Sequence, residues 1–287
     1  MEIAYTKEIK VRRNDYLHSL NILTSIIQGL NDYEGIQSLS SRKVGMYKLI
    51  KKLLPCLDIL HKVSYSGSLA SFLTLIRMII DNYAAFYLLT SHSTEQERNL
   101  RYYLYLIDGV TTRSNNLKDF HSNVSKNIYE ETHQNIQAIL SSDSKSISQL
   151  RKYITMYNFD GYISETIIEQ NNWKFVHPKS DSKKGNRHSF IDLYKIAKIP
   201  THYSNAFQRY YSSYVHGLGL TLFTYSDGDE LPLICSSLSI IEIIQSLIAK
   251  ILLEEYKEKL NNINLNQDFI IYMNHNWDYW NKLNYGR

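Results

Sequence analysis

LASFLTLIRMIIDNYAAFYLL, residues 69–89, is apolar on every side except at Arg77, Asp81 and Asn82. A helix without a polar face must be surrounded by other elements, so this stretch predicts the central helix of a helical core. A second stretch, PLICSSLSIIEIIQSLIAKILL (232–253), has the same character and predicts a buried helix over 233–256. It carries Glu242, Gln245 and Lys250, each expensive in lipid. It therefore reads as core rather than as a membrane span.

Working outward, Tyr16, Leu17, Leu20, Leu23, Ile26, Ile27 and Leu30 keep three- and four-residue spacing, the stripe of one helix. A second helix is expected over 44–63, kinked at Pro55. Thr94 and Glu97 predict a capping box opening a helix that runs to Arg113. Arg98, Arg101 and Arg113 are expected on its solvated face. Two more polar helices are expected near 121–141 and 145–156, then helices over 189–198 and 202–224. With only 11 Gly and 4 Pro in 287 residues, a β-sandwich lacks its turn residues.

The expected fold is all-α: a single domain over 1–287, an elaborated helical bundle with one irregular basic insertion at 158–187. The helices at 188–256 follow, and then a tail at 257–287. Trp277, Tyr279 and Trp280 in that tail are expected to dock on the bundle, since large rings are rarely left in water.

The net charge of +4 permits an anionic partner without requiring one. Two cysteines, Cys56 and Cys235, cannot build a disulfide framework, which suggests a reducing compartment. The start, MEIAYTKEIKVRRND, has no apolar h-region, so a cytoplasmic protein is expected. Walker, G-x-G-x-x-G, H-E-x-x-H, C-x-x-C and G-x-S-x-G patterns are all absent. No metal site and no cofactor is expected.

One segment carries convertible chemistry: Arg209-Tyr-Tyr-Ser-Ser-Tyr-Val-His216. Seven α-helical steps return to nearly one face, about 10 Å along the axis. Ser212 and Ser213 fall between Arg209 and His216 on that face. Arg offers a planar fork matched to phosphate oxygens, and His titrates near neutral pH.

This row resembles the R-x(4–6)-H motif of the HEPN superfamily, all-α domains of which many are metal-independent ribonucleases in toxin–antitoxin and abortive-infection systems. A helix reading leucine–Arg–x3–acid (Leu75, Arg77, Asp81) and a Tyr/Ser/His helix followed by an apolar one extend the resemblance over about 66–113 and 188–255. It implies RNA cleavage by 2′-OH attack without metal, with Arg209 on the phosphate and His216 as acid or base. It also implies a homodimer and an antitoxin or defence partner.

Ser212, Ser213, Arg77 and Asp81 would support that site, with Arg77/Asp81 read either as a buried packing pair or as lining the same cleft. Lys179, Lys183, Lys184 and Arg187 would touch the RNA backbone; a solvated loop is the other reading. Trp173 and Phe175 either stack a base or pack the insertion. Position 210 is Tyr where the family often has Asn, so a catalytically silent HEPN-like module that binds nucleotide, RNA or protein stays open. So does a helical interaction protein docking through its aromatic tail. A second row, Arg13-Asn-Asp-Tyr-Leu-His18, has the R-N-x3-H form, but five helical steps place its ends on different faces.

Overall fold

The computed structural model describes residues 2–36, 39–65, 68–123, 130–182, 184–206, 209, 211, 231–260 and 267–285. Among the described residues there is no strand. Eleven α-helices occur: α1 (Glu2–Gln28), α2 (Arg42–Val63), α3 (Leu69–Thr90), α4 (Glu95–Asn123), α5 (Glu130–Tyr157), α6 (Glu165–Glu169), α7 (Phe190–Ile196), α8 (Thr201–Ala206), α9 (Leu231–Glu255), α10 (Lys257–Leu260) and α11 (Gln267–Tyr285). They form two compact units, 1–91 with 190–287, and 92–189.

In the first unit α3 and α9 are the core helices. Phe72, Leu73, Ile76, Ile79 and Ile80 of α3 are buried, as are Leu238, Ile241, Ile244, Leu247 and Ile248 of α9. Both are long and apolar enough to cross a bilayer, yet 61% and 72% of their most apolar windows are buried inside the protein, as a core helix would be. Helix α1 lies along α9, α2 packs on α1 and α3, and α7 packs on α3. Pro55 sits inside an unbroken α2 and is exposed.

The aromatic tail docks as expected through Trp280, although Tyr279 is exposed, and it does so as a helix. Trp280 is fully buried, and α11 is fixed to α9 by polar contacts. The Tyr272 hydroxyl donates to Glu242, and the Asn276 amide donates to Ser246 Oγ at 2.9 Å. Burial pushes the Glu242 carboxyl above its usual range, against the opposing donation from Tyr272 and Asn276. Arg42 pairs with Glu255 at 2.6 Å and donates to the Leu89 carbonyl at 3.3 Å. One guanidinium thus ties the start of α2 to the ends of α3 and α9.

Helix α7 ends on Lys198 in left-handed backbone (φ 60°). The Lys198 N–H reaches the Lys195 carbonyl at 3.0 Å and the Ile199 N–H reaches Tyr194 at 2.8 Å. This is a Schellman cap, with lysine where glycine is the unstrained choice.

In the second unit α4 and α5 form a long hairpin. Helix α4 runs ten residues past the expected end at Arg113, and α5 is one helix rather than two. The polar run Thr111-Thr112-Arg113-Ser114 looks like an end in sequence. In the fold Arg113 and Ser114 both bond the buried carboxylate of Asp143 on α5, so tertiary pairing carries α4 onward. Thr94 caps α4 by accepting the Glu97 N–H at 3.3 Å, but the Glu97 carboxylate turns inward instead of closing the box.

Candidate functional site

Ser212, Ser213 and His216 lie outside the described residues, and so does most of the helix expected at 202–224. Arg209 is described and exposed. Two residues on, Tyr211 is buried, its hydroxyl 2.7 Å from Ser237 Oγ on α9. Burial pushes its phenol up to about 12. Tyr211 therefore pins the segment to the core helix while Arg209 faces water. Both residues have π-helical backbone, a wide turn that recurs at functional sites.

The chain leaves α8 and re-enters at α9 beside one cavity of about 390 Å³, within the range of small-ligand sites. Tyr203 of α8 and Pro232 of α9 line it, together with Glu8 and Arg12 of α1 and Tyr279 and Trp280 of α11. Cys235 also lines it. Burial, reinforced by Glu8, pushes that thiol up, so it is protonated at neutral pH and is no nucleophile. The cavity thus offers a guanidinium, a carboxylate and aromatic walls.

Arg77 and Asp81 meet as the spacing predicts, with Nε 2.9 Å from Oδ2. The pair is not sealed: its side chains are 13% and 27% exposed. The Tyr194 hydroxyl on α7 donates to the other Asp81 oxygen, and Arg77 lies 5.8 Å from the Tyr194 ring. Burial, then the Asp81 charge, hold the Tyr194 phenol far above its ordinary range. Tyr194 is a member of this cluster that sequence reading missed. Its only sequence signal is a tyrosine in a short amphipathic helix.

The alternative row comes apart. The Arg13 guanidinium turns to the end of α2, 3.1 Å from Ser64 Oγ and 3.8 Å from the Tyr65 ring. The His18 ring packs edge-on against Phe269 and Tyr272 of α11, 5.3 and 4.9 Å away. The two groups thus pack on different helices.

In the second unit, Lys179, Lys184 and Arg187 are exposed, while Lys183 lies outside the described residues. Lys179 donates to the Gly161 carbonyl. Trp173 and Phe175 are buried, so they pack rather than offer a stacking face. The expectation that Arg101 lies on a solvated face is wrong. Arg101 is 1% exposed and donates to Glu97 at 2.7 Å, to the Trp173 carbonyl at 2.8 Å and to the Phe175 carbonyl at 3.0 Å. Its guanidinium also stacks on the Phe175 ring at 3.7 Å. The loop carbonyls that pull Arg101 inward lie more than 70 residues away, which helical periodicity cannot register. Arg113 does reach solvent, though it is paired with Asp143.

Asn186 organises the same loop. Its carbonyl oxygen accepts the Val176 and His177 N–H groups at 3.0 and 2.7 Å, and its amide donates to the His177 carbonyl at 3.0 Å. Among the described residues no three His, Cys, Asp or Glu side chains converge. Comparison with protein-family models, with curated proteins and with solved structures finds no match to this chain.

Proposed function

We propose that this chain is a HEPN-like, metal-independent endoribonuclease of a bacterial defence or toxin–antitoxin system, cytoplasmic and acting as a homodimer. The reading is supported by an exposed Arg209 next to a Tyr211 that bonds Ser237 of α9, the helix whose first turns line a cavity with a guanidinium and aromatic walls. Strand cleavage follows from the residues. The substrate 2′-OH loses its proton to a base as the 2′-oxygen bonds phosphorus. The bond from phosphorus to the 5′-oxygen breaks, and that oxygen takes a proton. The products are a 2′,3′-cyclic phosphate and a 5′-hydroxyl.

His216 handles the proton, and Arg209 meets the charge that builds on the phosphoryl oxygens. A two-fold axis would set two such rows face to face, and an antitoxin would act by covering them. Labelled RNA incubated in EDTA tests this: wild type cuts it, and Arg209→Ala and His216→Ala do not. Equal cutting by all three sinks the assignment.

A second reading, a catalytically silent HEPN-like module, is favoured by Tyr210 at the place where the family often has Asn. Salt-dependent RNA binding by wild type with no cleavage selects it.

A further inference from the structure

Away from Arg209, two lysines converge on one indole. The Lys250 ammonium on α9 lies 4.2 Å from the Trp277 ring centre, and the Lys198 ammonium after α7 lies 5.5 Å from it. All three residues are half-buried. We propose that Lys198, Trp277 and Lys250 form a subsite for single-stranded RNA, the lysines taking a backbone phosphate and the indole taking a base. The choice of RNA as ligand rests on the ribonuclease reading; the geometry does not.

Lys250 sits in the most buried run of α9, between Ala249 and Ile251. It makes no ion pair among the described residues, and Glu254, one turn on, is exposed. Lys198 is held in backbone that favours glycine, and the Schellman bonds fix where its side chain starts. Strain of that kind persists where surrounding structure over-determines it, and it clusters at ligand sites.

Each ammonium lies against the indole, and a backbone phosphate that draws it off would replace that contact with a charge-assisted hydrogen bond. The ring the ammonium groups then leave is a flat platform of the kind that stacks bases. An acidic peptide offers the charge but no flat partner.

The test uses the full chain carrying His216→Ala, so that RNA survives the measurement. Single-stranded RNA is expected to quench tryptophan emission in this protein, and Trp277→Phe is expected to remove that quenching. Lys198→Gln with Lys250→Gln should weaken binding about tenfold at low salt. It should also reduce the slope of log Kd against log salt by about 0.7, the contribution of one phosphate contact on a single strand. Lys198→Arg with Lys250→Arg, which keeps the charge, should restore both.

Binding within twofold and an unchanged slope in the glutamine variant would overturn the proposal. So would persistent quenching in Trp277→Phe. Equal quenching by inorganic phosphate, by poly-glutamate or by phosphatidylserine vesicles would assign the site to a small anion, an acidic protein or a membrane instead. If wild type fails to cut RNA yet Trp277 is quenched by it, the nuclease reading falls and this subsite stands.

Discussion

Glu97–Arg101 on α4 and Arg77–Asp81 on α3 are both acid–base pairs one helical turn apart, and they end in opposite places. Arg101 and Glu97 lie on a mixed helix and are sealed, their side chains 2% and 8% exposed. Arg77 and Asp81 lie on the most apolar helix of the chain and keep contact with water. The difference is in what arrives from elsewhere. Carbonyls at 173 and 175 close over Arg101 and take the N–H groups that Glu97 does not reach on Nη1 and Nη2. The short α7 covers only the Tyr194 side of Asp81. Burial of a pair is set by its third partners, not by the hydropathy of its own helix.

The largest test of this contrast is Arg101→Met. It leaves two loop carbonyls buried without their donor and strips the buried Glu97 of its cationic partner, and it should cost about 3–5 kcal/mol in urea unfolding. Arg101→Lys should recover only part, because an ammonium lacks the planar fork. Next is Asn186→Ala, which frees two N–H groups and a carbonyl of the same loop. It should cost about 1–3 kcal/mol, with faster amide exchange at 172–187 and none of that change in α3 or α9. Asp81→Asn should cost less than about 1 kcal/mol, since solvent screens the pair it weakens. A loss as large as that of Arg101→Met would erase the contrast.

Buried carboxylates sharpen it through pH. Burial raises Glu97, but donors at Ser93, Tyr162 and Arg101 outweigh it, and the group ends below its ordinary range. Its stabilisation is present at neutral pH and is lost as pH falls through the folded value. Glu242 ends above its ordinary range. Its stabilisation is present in acid and is lost as pH rises through the folded value. Glu242→Gln should therefore gain stability relative to wild type as pH rises from acid toward neutrality. Parallel thermal melts of the two proteins would show it, and a difference flat across pH would refute it. The smallest effect belongs to Lys198→Gly, which relieves the left-handed backbone and should raise stability by about 0.5–1 kcal/mol.

The helical class, the central place of α3 and α9 and the docking of the tail were legible because each writes itself into local periodicity. The packing of Trp173 and Phe175 was legible as well. The length of α4 was not, because Thr111 to Ser114 imitate an end that Asp143 overrides. Arg101 was misread for the same reason: its partners come from a loop with no periodic signal. The Arg77–Asp81 contact could be read from spacing, whereas Tyr194 enters from over a hundred positions away. Of the site drawn from sequence, Arg209 is exposed as that reading requires. The imidazole meant to stand beside it lies beyond the described residues.

Helix α1 shares its long interface with α9, and Ser19 bonds the Glu242 carbonyl across 223 positions of chain. During synthesis, then, the stripe of Tyr16, Leu20, Leu23 and Ile27 emerges from the ribosome long before its cover exists. At about 5–20 residues per second the wait is roughly eleven to forty-five seconds. Contacts so distant in order also close slowly. The nascent first half therefore keeps an apolar stripe uncovered until α9 has been made.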